Sequence, residues 1–512
     1  MRINRREFLK ILGLLGGALP LIRPRPQARL NAATPGGPNL LLLVFDTFSA
    51  EHMSLYGYGR KTTPQLERLS ARATVFHEHY AGGNFTTAGT ASLLTGTYPW
   101  THRGLQLSGS ILNPLKGNNL FAALASKYQF QQSYTHNPLA QILLEQFRDA
   151  HPGLYLHPIH SLTVDDDRLA DFFKNDYEYA YWGELINRRL AEPVLPTNLI
   201  LSVPDYFFQL YRVMRYARIY REQFPHGLPI NSNGTFFVLD EAIDWISTLF
   251  NTWQGGHAAG SLAYVHLFPP HESYHPRREF LQLFQDAQPP IAKPPHFFTE
   301  NYDQSFLDNQ ATLYDQYIAY VDAEIGRLFA LFEQTGVLEN TIIVLTSDHG
   351  QLIERGIHGH STPVLYEPLT HIPLLIWQPG QQTRKDIYLP TSAVDILPTL
   401  MHFSGNALPT WGEGQVLPGL GGPENADRSI FTLEAKLNSK FKAITIGTVA
   451  MRKGEHKLIH YFGYPGFDDQ TECFDLSVDP GELNNLYPAS ILARQLKEEA
   501  LAKIETVNTP YR

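Results

Sequence analysis

The chain has 512 residues and only one cysteine, Cys473. One thiol cannot close an intrachain disulfide, so the fold must rest on buried apolar surface alone. Cys473 itself reads as a small core residue and not as a nucleophile. Basic residues are also in short supply: 41 Lys and Arg stand against 50 Asp and Glu, for a formal charge of −9. They neither cluster nor exceed the acids, which excludes an electrostatic surface for nucleic acid. The apolar run near the amino terminus, Ile11 to Ile22, holds about 12 residues and contains Pro20, too short to span a bilayer comfortably. No internal repeat is evident.

Ahead of that run stands Asn4-Arg-Arg-Glu-Phe-Leu-Lys10, whose paired arginines resemble a twin-arginine export signal. On this reading residues 1–33 are signal and linker, with Leu30-Asn-Ala-Ala33 a candidate cleavage site. The twin-arginine translocase is then a transient partner during export. The destination is the periplasm, the extracellular space, or an anchor at the outer face of the cytoplasmic membrane. Oligomeric state has no signature in the sequence.

A hydrophobic content of 43% suits a chain that buries a sizeable core. The length suits one large α/β domain with insertions. Asn39 to Phe45 and Thr341 to Leu345 are continuous apolar runs, the pattern of strands covered on both faces. Val75 to Tyr80, Tyr128 to Tyr134, Ser261 to Phe268 and Ile372 to Trp377 read as further strands. Helices are expected from Pro64 (capped by Thr63), over Thr86 to Leu94, Asn118 to Lys127, Phe237 to Thr252, Gln310 to Gln334 and Ala393 to His402. This alternation predicts a doubly wound α/β sheet with ligands at the carboxyl ends of its strands. Residues 34–419 form this domain, interrupted by a helical insertion at about 150–235 with helices at Asp167 to Leu190 and Tyr206 to Phe224. Residues 420–512 read as a small antiparallel subdomain: strands at Ser429 to Leu433, Ala443 to Met451 and His456 to Tyr461, then a helix from Ala489.

Two of the buried strands end in acids. Asp46 follows Phe45, and Asp348 with His349 follows Ile342-Ile-Val-Leu-Thr-Ser347. A carboxylate at such a place costs several kcal/mol unless it is paired or bound to metal. Two carboxylates and an imidazole suit a divalent cation. Thr86 or Thr87, at a helix start, would complete the shell and gain reactivity, since coordination lowers a hydroxyl's pKa. The helix start also offers amide N–H groups to an anionic ester. His266 and His271 flank Pro269-Pro270, and His358 and His360 lie in Gly356-Ile-His-Gly-His-Ser361. Such imidazoles bind ester oxygens or protonate a leaving group.

Leu41-Leu-Leu-Val-Phe-Asp-Thr47, Glu51-His-Met-Ser-Leu-Tyr-Gly-Tyr58 and Thr62-Thr-Pro-Gln-Leu66 resemble the opening of sulfatases of the alkaline phosphatase superfamily. Thr86 to Gly96 resembles their signature, which ends in Ala-Ser-Leu-Leu-Thr-Gly. Thr346-Ser-Asp-His-Gly350 and His266-Leu-Phe-Pro-Pro-His-Glu-Ser-Tyr274 are similar to later motifs, as are Val394-Asp-Ile-Leu-Pro-Thr-Leu400 and Phe474-Asp-Leu-Ser-Val-Asp-Pro-Gly-Glu482. The resemblance implies a three-layer sandwich around a large, mostly parallel mixed sheet. It places the nucleophile on Thr86, metal ligands on Asp46, Asp348 and His349 with Thr86, and the proton-donating histidines on His271 and His358. Thr87, His266 and His360 would bind substrate, with His136 as a stand-in for a basic residue of the family. One divalent cation is expected, Ca2+ by resemblance, with Mn2+, Mg2+ or Zn2+ also compatible.

Three departures alter that picture. The family opens with two adjacent aspartates, and here the second is Thr47. The family nucleophile is a formylglycine made from Cys or Ser, which Thr86 cannot become. A Pro and an Arg of the signature are Ala88 and Thr90, and the later lysine–histidine pair is not recognisable. A formylglycine hydrate expels sulfate through its second hydroxyl; a threonine ester must be attacked at sulfur or phosphorus. Phosphorus tolerates that attack better, and threonine-dependent relatives in the superfamily act on phosphorus. The expected activity is hydrolysis or transfer of a sulfuric or phosphoric ester, leaning to phosphoryl or phosphonate esters, with an envelope glycan or lipid as a candidate bearer. A true sulfuric ester hydrolase is the alternative, and an inactive scaffold for an envelope polymer is the alternative from another class.

Overall fold

A computed structural model describes residues 37–107, 109–157, 211, 214–215, 217–227, 229, 238–254, 260–285 and 291–512. The expected export signal and the helix expected at Asp167 to Leu190 lie outside the described residues, as does most of Tyr206 to Phe224. Sixteen strands are described, in chain order β1 Asn39–Phe45, β2 Thr74–Phe76, β3 His79–Tyr80, β4 Phe130–Thr135, β5 Leu154–Leu156, β6 Ser261–Leu267, β7 Thr341–Ser347, β8 Leu352–Glu354, β9 Ile357–Gly359, β10 Leu374–Trp377, β11 Lys385–Ile387, β12 Thr391–Ser392, β13 Ile430–Glu434, β14 Gly447–Lys453, β15 His456–Phe462 and β16 Gln470–Asp475.

Eight of these form the central sheet, in the order β11-β2-β10-β7-β1-β6-β4-β5. The pairings β7-β1-β6-β4-β5 and β11-β2 are parallel, and only β10 runs against its neighbours. Alternate side chains along β1 enter two separate cores. Leu41, Leu43 and Phe45 pack with Val265, Leu345 and the helices Leu239–Gln254 and Gln304–Thr335. Leu40, Leu42 and Val44 pack on the other face with Tyr264, Val344 and the helices Thr86–Thr95, Leu120–Leu124, Pro138–Ala150 and Ile396–Phe403. A sheet covered on both faces is why these strands read as unbroken apolar runs. The smaller antiparallel sheet, β13-β14-β15-β16, packs with the carboxyl-terminal helix Ile491–Asn508 and shares a core with Tyr98, Trp100 and Val394.

The expected strand Val75 to Tyr80 divides in two. Thr74–Phe76 joins the main sheet, while His79–Tyr80 pairs with Thr391–Ser392. The alternation also continues past residue 150. The helix Pro138–Ala150, capped by Asn137, leads into β5, which closes the sheet beside β4. The strand β16 was not foreseen. Thr63 precedes its helix but makes no side-chain cap; its Oγ1 accepts the N–H of Leu55 instead.

One close approach fixes the Thr86–Thr95 helix over the strand ends. A methyl group added at Gly89 would lie 2.2 Å from the carbonyl oxygen of Asp348. Only a residue without Cβ lets this helix lie directly on the backbone that carries Asp348. Gly89→Ala should therefore destabilise the protein by about 1–3 kcal/mol in a denaturant titration and weaken divalent-metal binding in the same protein. Wild-type stability with unchanged metal affinity would show that the close packing has no such role.

Candidate functional site

The sheet order brings four strand ends side by side, from β7, β1, β6 and β4. Phe45 is in register with Ser347 on one side and Leu267 on the other, so Asp46 and Asp348 both emerge one residue past a paired position. The two acids are fully buried neighbours. Ser347 stitches the loops that follow: its Oγ lies 2.6 Å from the carbonyl oxygens of Phe45 and His349 and accepts the N–H of Phe48 at 2.9 Å. Thr47 adopts a left-handed backbone, φ 59°. Its N–H is directed to the Asp348 carboxylate, and its carbonyl accepts the hydroxyl of Tyr314 at 2.5 Å.

Two imidazoles face the carboxylates. His266 Nε2 stands 3.6 Å from Asp46 Oδ2 and 3.7 Å from Asp348 Oδ2. His349 Nε2 stands 3.7 Å from Asp46 Oδ1 and 3.6 Å from Asp348 Oδ2. Each ring is held from behind. His266 Nδ1 is bonded to Tyr264 Oη at 3.0 Å, and His349 Nδ1 donates to the Gly350 carbonyl at 3.0 Å. That leaves the His349 lone pair on Nε2, as metal ligation requires. Both Nε2 atoms and Asp46 Oδ1 are buried and have no hydrogen-bond partner within the protein. Converging orphan donors of this kind fit a divalent cation: 3.6–3.7 Å exceeds hydrogen-bond range, yet suits ligands sharing an ion at about 2.0–2.2 Å. His266, expected to bind substrate, is grouped with Asp46 and Asp348 as side chains that could hold an ion.

Thr86 is the first residue of its helix and is not its cap, a place taken by Phe85. Its Oγ1 accepts the Nδ2 of Asn137 at 3.0 Å, and the same Nδ2 donates to Asp46 Oδ2 at 2.5 Å. Asn137 Oδ1 meanwhile accepts the N–H of Leu139 at 2.8 Å, capping the Pro138–Ala150 helix. Asn137 was not among the expected site residues, although Asn-Pro after a strand announces a cap and a first helical position. Thr90, at the position of the family's arginine, donates to Asp348 Oδ2 at 3.4 Å.

The electrostatics follow from burial. Desolvation would raise Asp46, but the neighbouring imidazoles of His271, His266 and His349 outweigh it and hold it well below the usual carboxylate range. Burial and then the charge of Asp46 push Asp348 up to about 8. Without a cation, burial and the neighbouring Asp46 therefore favour the protonated form of Asp348. Burial, and then His360, push His349 down to about 3, which keeps it neutral. For His266 the desolvation cost is overcome by the two carboxylates, and its pKa is raised.

The remaining expected residues divide. His271 and His360 border the centre: the His360 ring stacks on His349 at 4.6 Å and meets the His271 ring edge-on at 4.8 Å. Between them lies Glu272, a carboxylate that the sequence reading passed over. His358 is held apart, 3.3 Å from the Tyr274 hydroxyl and edge-on to Tyr274, Tyr302 and Phe306. Thr87 Oγ1 accepts the N–H of Gly109 at 3.1 Å and does not join the carboxylates. His136 lies behind the site; its N–H donates to the His266 carbonyl, and its Nδ1 accepts the N–H of Phe268 at 3.4 Å.

Comparison with known proteins places this geometry in context. The family model described as Sulfatase matches residues 38–405, and that of the N-sulphoglucosamine sulphohydrolase carboxyl-terminal region matches 356–508. Mouse (Mus musculus) arylsulfatase K is 30% identical over 197 residues, 37% of this chain and 35% of that protein. The choline-sulfatase of Rhizobium meliloti (strain 1021) is 29% identical over 241 residues, 42% of this chain and 44% of that protein. The chain thus spans less than half the length of these curated relatives. Among solved structures, the phosphonate monoester hydrolase of Agrobacterium radiobacter superposes with a TM-score of 0.63 at 18% identity, covering 93% of this chain and 96% of that one. At that identity the likeness is one of fold.

Metal binding must displace the proton that burial and Asp46 hold on Asp348. Divalent-metal affinity should therefore rise with pH up to about 8, with about one proton released per ion. Calorimetric titration in buffers of different ionisation enthalpy measures both. Affinity independent of pH between 6 and 8 would remove Asp348 from the ligand set.

Proposed function

This chain belongs to the sulfatase family, and from that premise we propose that it is an exported, metal-dependent enzyme that hydrolyses or transfers an ester group on phosphorus through Thr86. The observation that carries the reading is the double bond of Asn137 Nδ2, to Asp46 Oδ2 and to Thr86 Oγ1. An amide N–H can only donate. It therefore stabilises Thr86 Oγ1 most when that oxygen carries negative charge, and it ties the nucleophile to the carboxylate that would hold the metal.

Asp46, Asp348, His349, His266 and Thr86 would hold one divalent cation, which when bound lowers the pKa of the Thr86 hydroxyl and neutralises charge on the ester. Two nitrogen donors beside two carboxylates favour Mn2+ or Zn2+ over Ca2+. Thr86 Oγ1, having lost its proton, attacks phosphorus in line, and the bond to the leaving alcohol oxygen breaks. A helix start at Thr86 offers first-turn N–H groups to the negative charge that develops. His271 suits the role of proton donor to the leaving oxygen: burial lowers its pKa, but Glu272 and Asp46 together raise it above the ordinary value. Water, or an acceptor alcohol, then attacks phosphorus and frees Thr86.

Phosphorus is favoured over sulfur on chemical grounds. Thr86 has one hydroxyl and a hydrogen and methyl on the same carbon, so it has no route to expel sulfate by C–O cleavage. The paired arginines of Arg5-Arg6 support export by the twin-arginine route, and an envelope glycan or lipid is the ester-bearing partner that this location supplies.

Thr86→Ala should lower turnover of phosphodiesters and phosphonate monoesters by more than about 10³-fold while retaining bound metal. Thr86→Ser should keep most of the activity. A panel of aryl sulfate, phosphate monoester, phosphodiester and phosphonate substrates, assayed with both variants, tests this. Sulfate turnover above the others, surviving Thr86→Ala, would falsify the mechanism. No turnover on any ester, with no metal retained, would leave the inactive envelope-binding scaffold.

A further inference from the structure

The strands β13 and β14 are antiparallel neighbours, yet the loop between them runs over residues 435–446. Most hairpins need only about two to five connecting residues. Leu437 and Phe441 in this loop are 57% and 71% exposed, and Leu107, on an adjoining loop, is 40% exposed. Gln106 ties the two loops together, donating its Nε2 to the Asn438 carbonyl at 3.3 Å. Single exposed apolar side chains are ordinary; three large ones on two joined loops mark an interaction surface.

The main chain of the long loop is held from behind. Arg103, itself buried, donates Nε to the Lys440 carbonyl at 3.0 Å and Nη2 to the carbonyls of Ser439, at 3.2 Å, and of Lys442. Asn438 Oδ1 accepts the N–H groups of Thr445 and Ile446 at 2.8 and 3.2 Å, and its Nδ2 donates to the Ala435 carbonyl at 2.9 Å. Asn508, from the carboxyl-terminal helix, bonds both the N–H and the carbonyl of Ile444. A loop whose peptide groups are bonded inward can press its side chains into an apolar medium without stranding polar main chain there.

Charge indicates the medium. Lys436, Lys440 and Lys442 accompany the apolar pair, and residues 435–453 contain no Asp or Glu, although the whole chain has a formal charge of −9. Residues 79–144, which include the adjoining loop, contain none either. Glu434, just ahead of the long loop, is buried and stands 3.8 Å from Lys436 Nζ, which leaves Lys440 and Lys442 as the uncompensated pair. Protruding apolar side chains flanked by lysines complement an anionic lipid layer. A second copy of this chain would bring the same lysines to a symmetric contact and be repelled.

The loop is fastened to both flanks of the site. Lys436 Nζ donates to the carbonyl of Ser361, the residue after His360, at 2.5 Å. Lys440 Nζ donates to the carbonyl and hydroxyl of Ser110 at 3.0 and 2.8 Å, beside Gly109, whose N–H reaches Thr87 Oγ1. We propose that the 435–446 loop docks the protein on an anionic lipid surface: Leu437 and Phe441, with Leu107, enter the layer, and Lys440 and Lys442 meet its phosphates. Docking stands on these loops alone; delivery of a lipid-borne phosphoester to Thr86 rests on the function proposed above.

The full chain is sedimented with phosphatidylcholine vesicles made with and without phosphatidylglycerol. The wild type should bind the anionic vesicles, and less so as salt rises. Leu437→Ser combined with Phe441→Ser should weaken that binding by about tenfold or more, and Lys442→Gln by about fivefold. Thermal melts check folding. Turnover of a water-soluble phosphodiester should be unchanged in these variants, so failed docking and failed Thr86 chemistry are read separately. Phe441→Cys, labelled with a polarity-sensitive fluorophore, should shift to the blue on anionic vesicles, while the same label on Tyr388→Cys, a position 68% exposed on another loop, should not. The buried Cys473 leaves the introduced thiol as the accessible one, and the label reads this loop whatever other segment touches lipid. No binding by the wild type, or equal binding by wild type and double variant with an unmoved label at 441, overturns the proposal. A wild-type dimer that the double variant dissolves, without vesicle binding, assigns the surface to a second copy and overturns it too.

Discussion

Asp46 and Asp348 are two carboxylates buried side by side at the ends of adjacent parallel strands, and the rest of the site is arranged around that conflict. Two like charges removed from water repel each other and each forfeits its hydration. The fold does not relieve this by distance, because the register of β1 and β7 fixes the pair. It relieves it by convergence: His266 and His349 from opposite sides, the Thr47 N–H, the Asn137 amide and the Thr90 hydroxyl. Even so, Asp46 Oδ1 and both Nε2 atoms have no partner within the protein. Unsatisfied atoms that converge on one point beside two buried carboxylates fit a cationic ligand.

The same constraint explains why an ordinary hydroxyl lies where it does. Thr86 is linked to Asp46 through Asn137, and its helix is seated on the Asp348 backbone by the close contact at Gly89. Asn137 serves both ends of this arrangement. Its oxygen caps the Pro138–Ala150 helix while its nitrogen bridges the Thr86 hydroxyl and the Asp46 carboxylate. A cap fixed by main-chain N–H groups has little freedom, so the amide is held in position before any substrate arrives. The helix is thus part of the site, although it contributes no ligand.

The legible parts of the site are those whose signal is local. Asp46, Asp348 and His349 follow strands that are apolar throughout, and a charge at the end of such a run is conspicuous in sequence. His266 lies inside β6, where one polar side chain in a buried strand shows no direction; its place among the ligands depends on β6 being the neighbour of β1. Asn137 and Glu272 escaped notice because an asparagine before proline and a glutamate in a loop each have an ordinary explanation. The asparagine has that role too. The sheet was readable from its continuous strands, whereas the short ones were not: β2 and β3 merge in sequence but belong to different sheets. β16, Gln-Thr-Glu-Cys-Phe-Asp, carries too many polar side chains to announce itself.

The departures from the family pattern are coherent when taken together. A formylglycine site needs a cysteine or serine, a second aspartate and basic residues to hold sulfate. This chain replaces all three. Where the second aspartate would add a ligand, Thr47 contributes a backbone N–H to Asp348. Where arginine would bring charge, Thr90 bonds the same carboxylate. The positive charge so removed is matched by an accumulation of imidazole: His266, His271, His349 and His360 all lie within reach of the carboxylates or of Glu272. Imidazoles bind metals and transfer protons, while guanidinium and ammonium groups at these positions would do neither near neutral pH. Under the proposed function, exchange of fixed cations for titratable ligands suits metal-supported displacement at phosphorus better than static recognition of a sulfate.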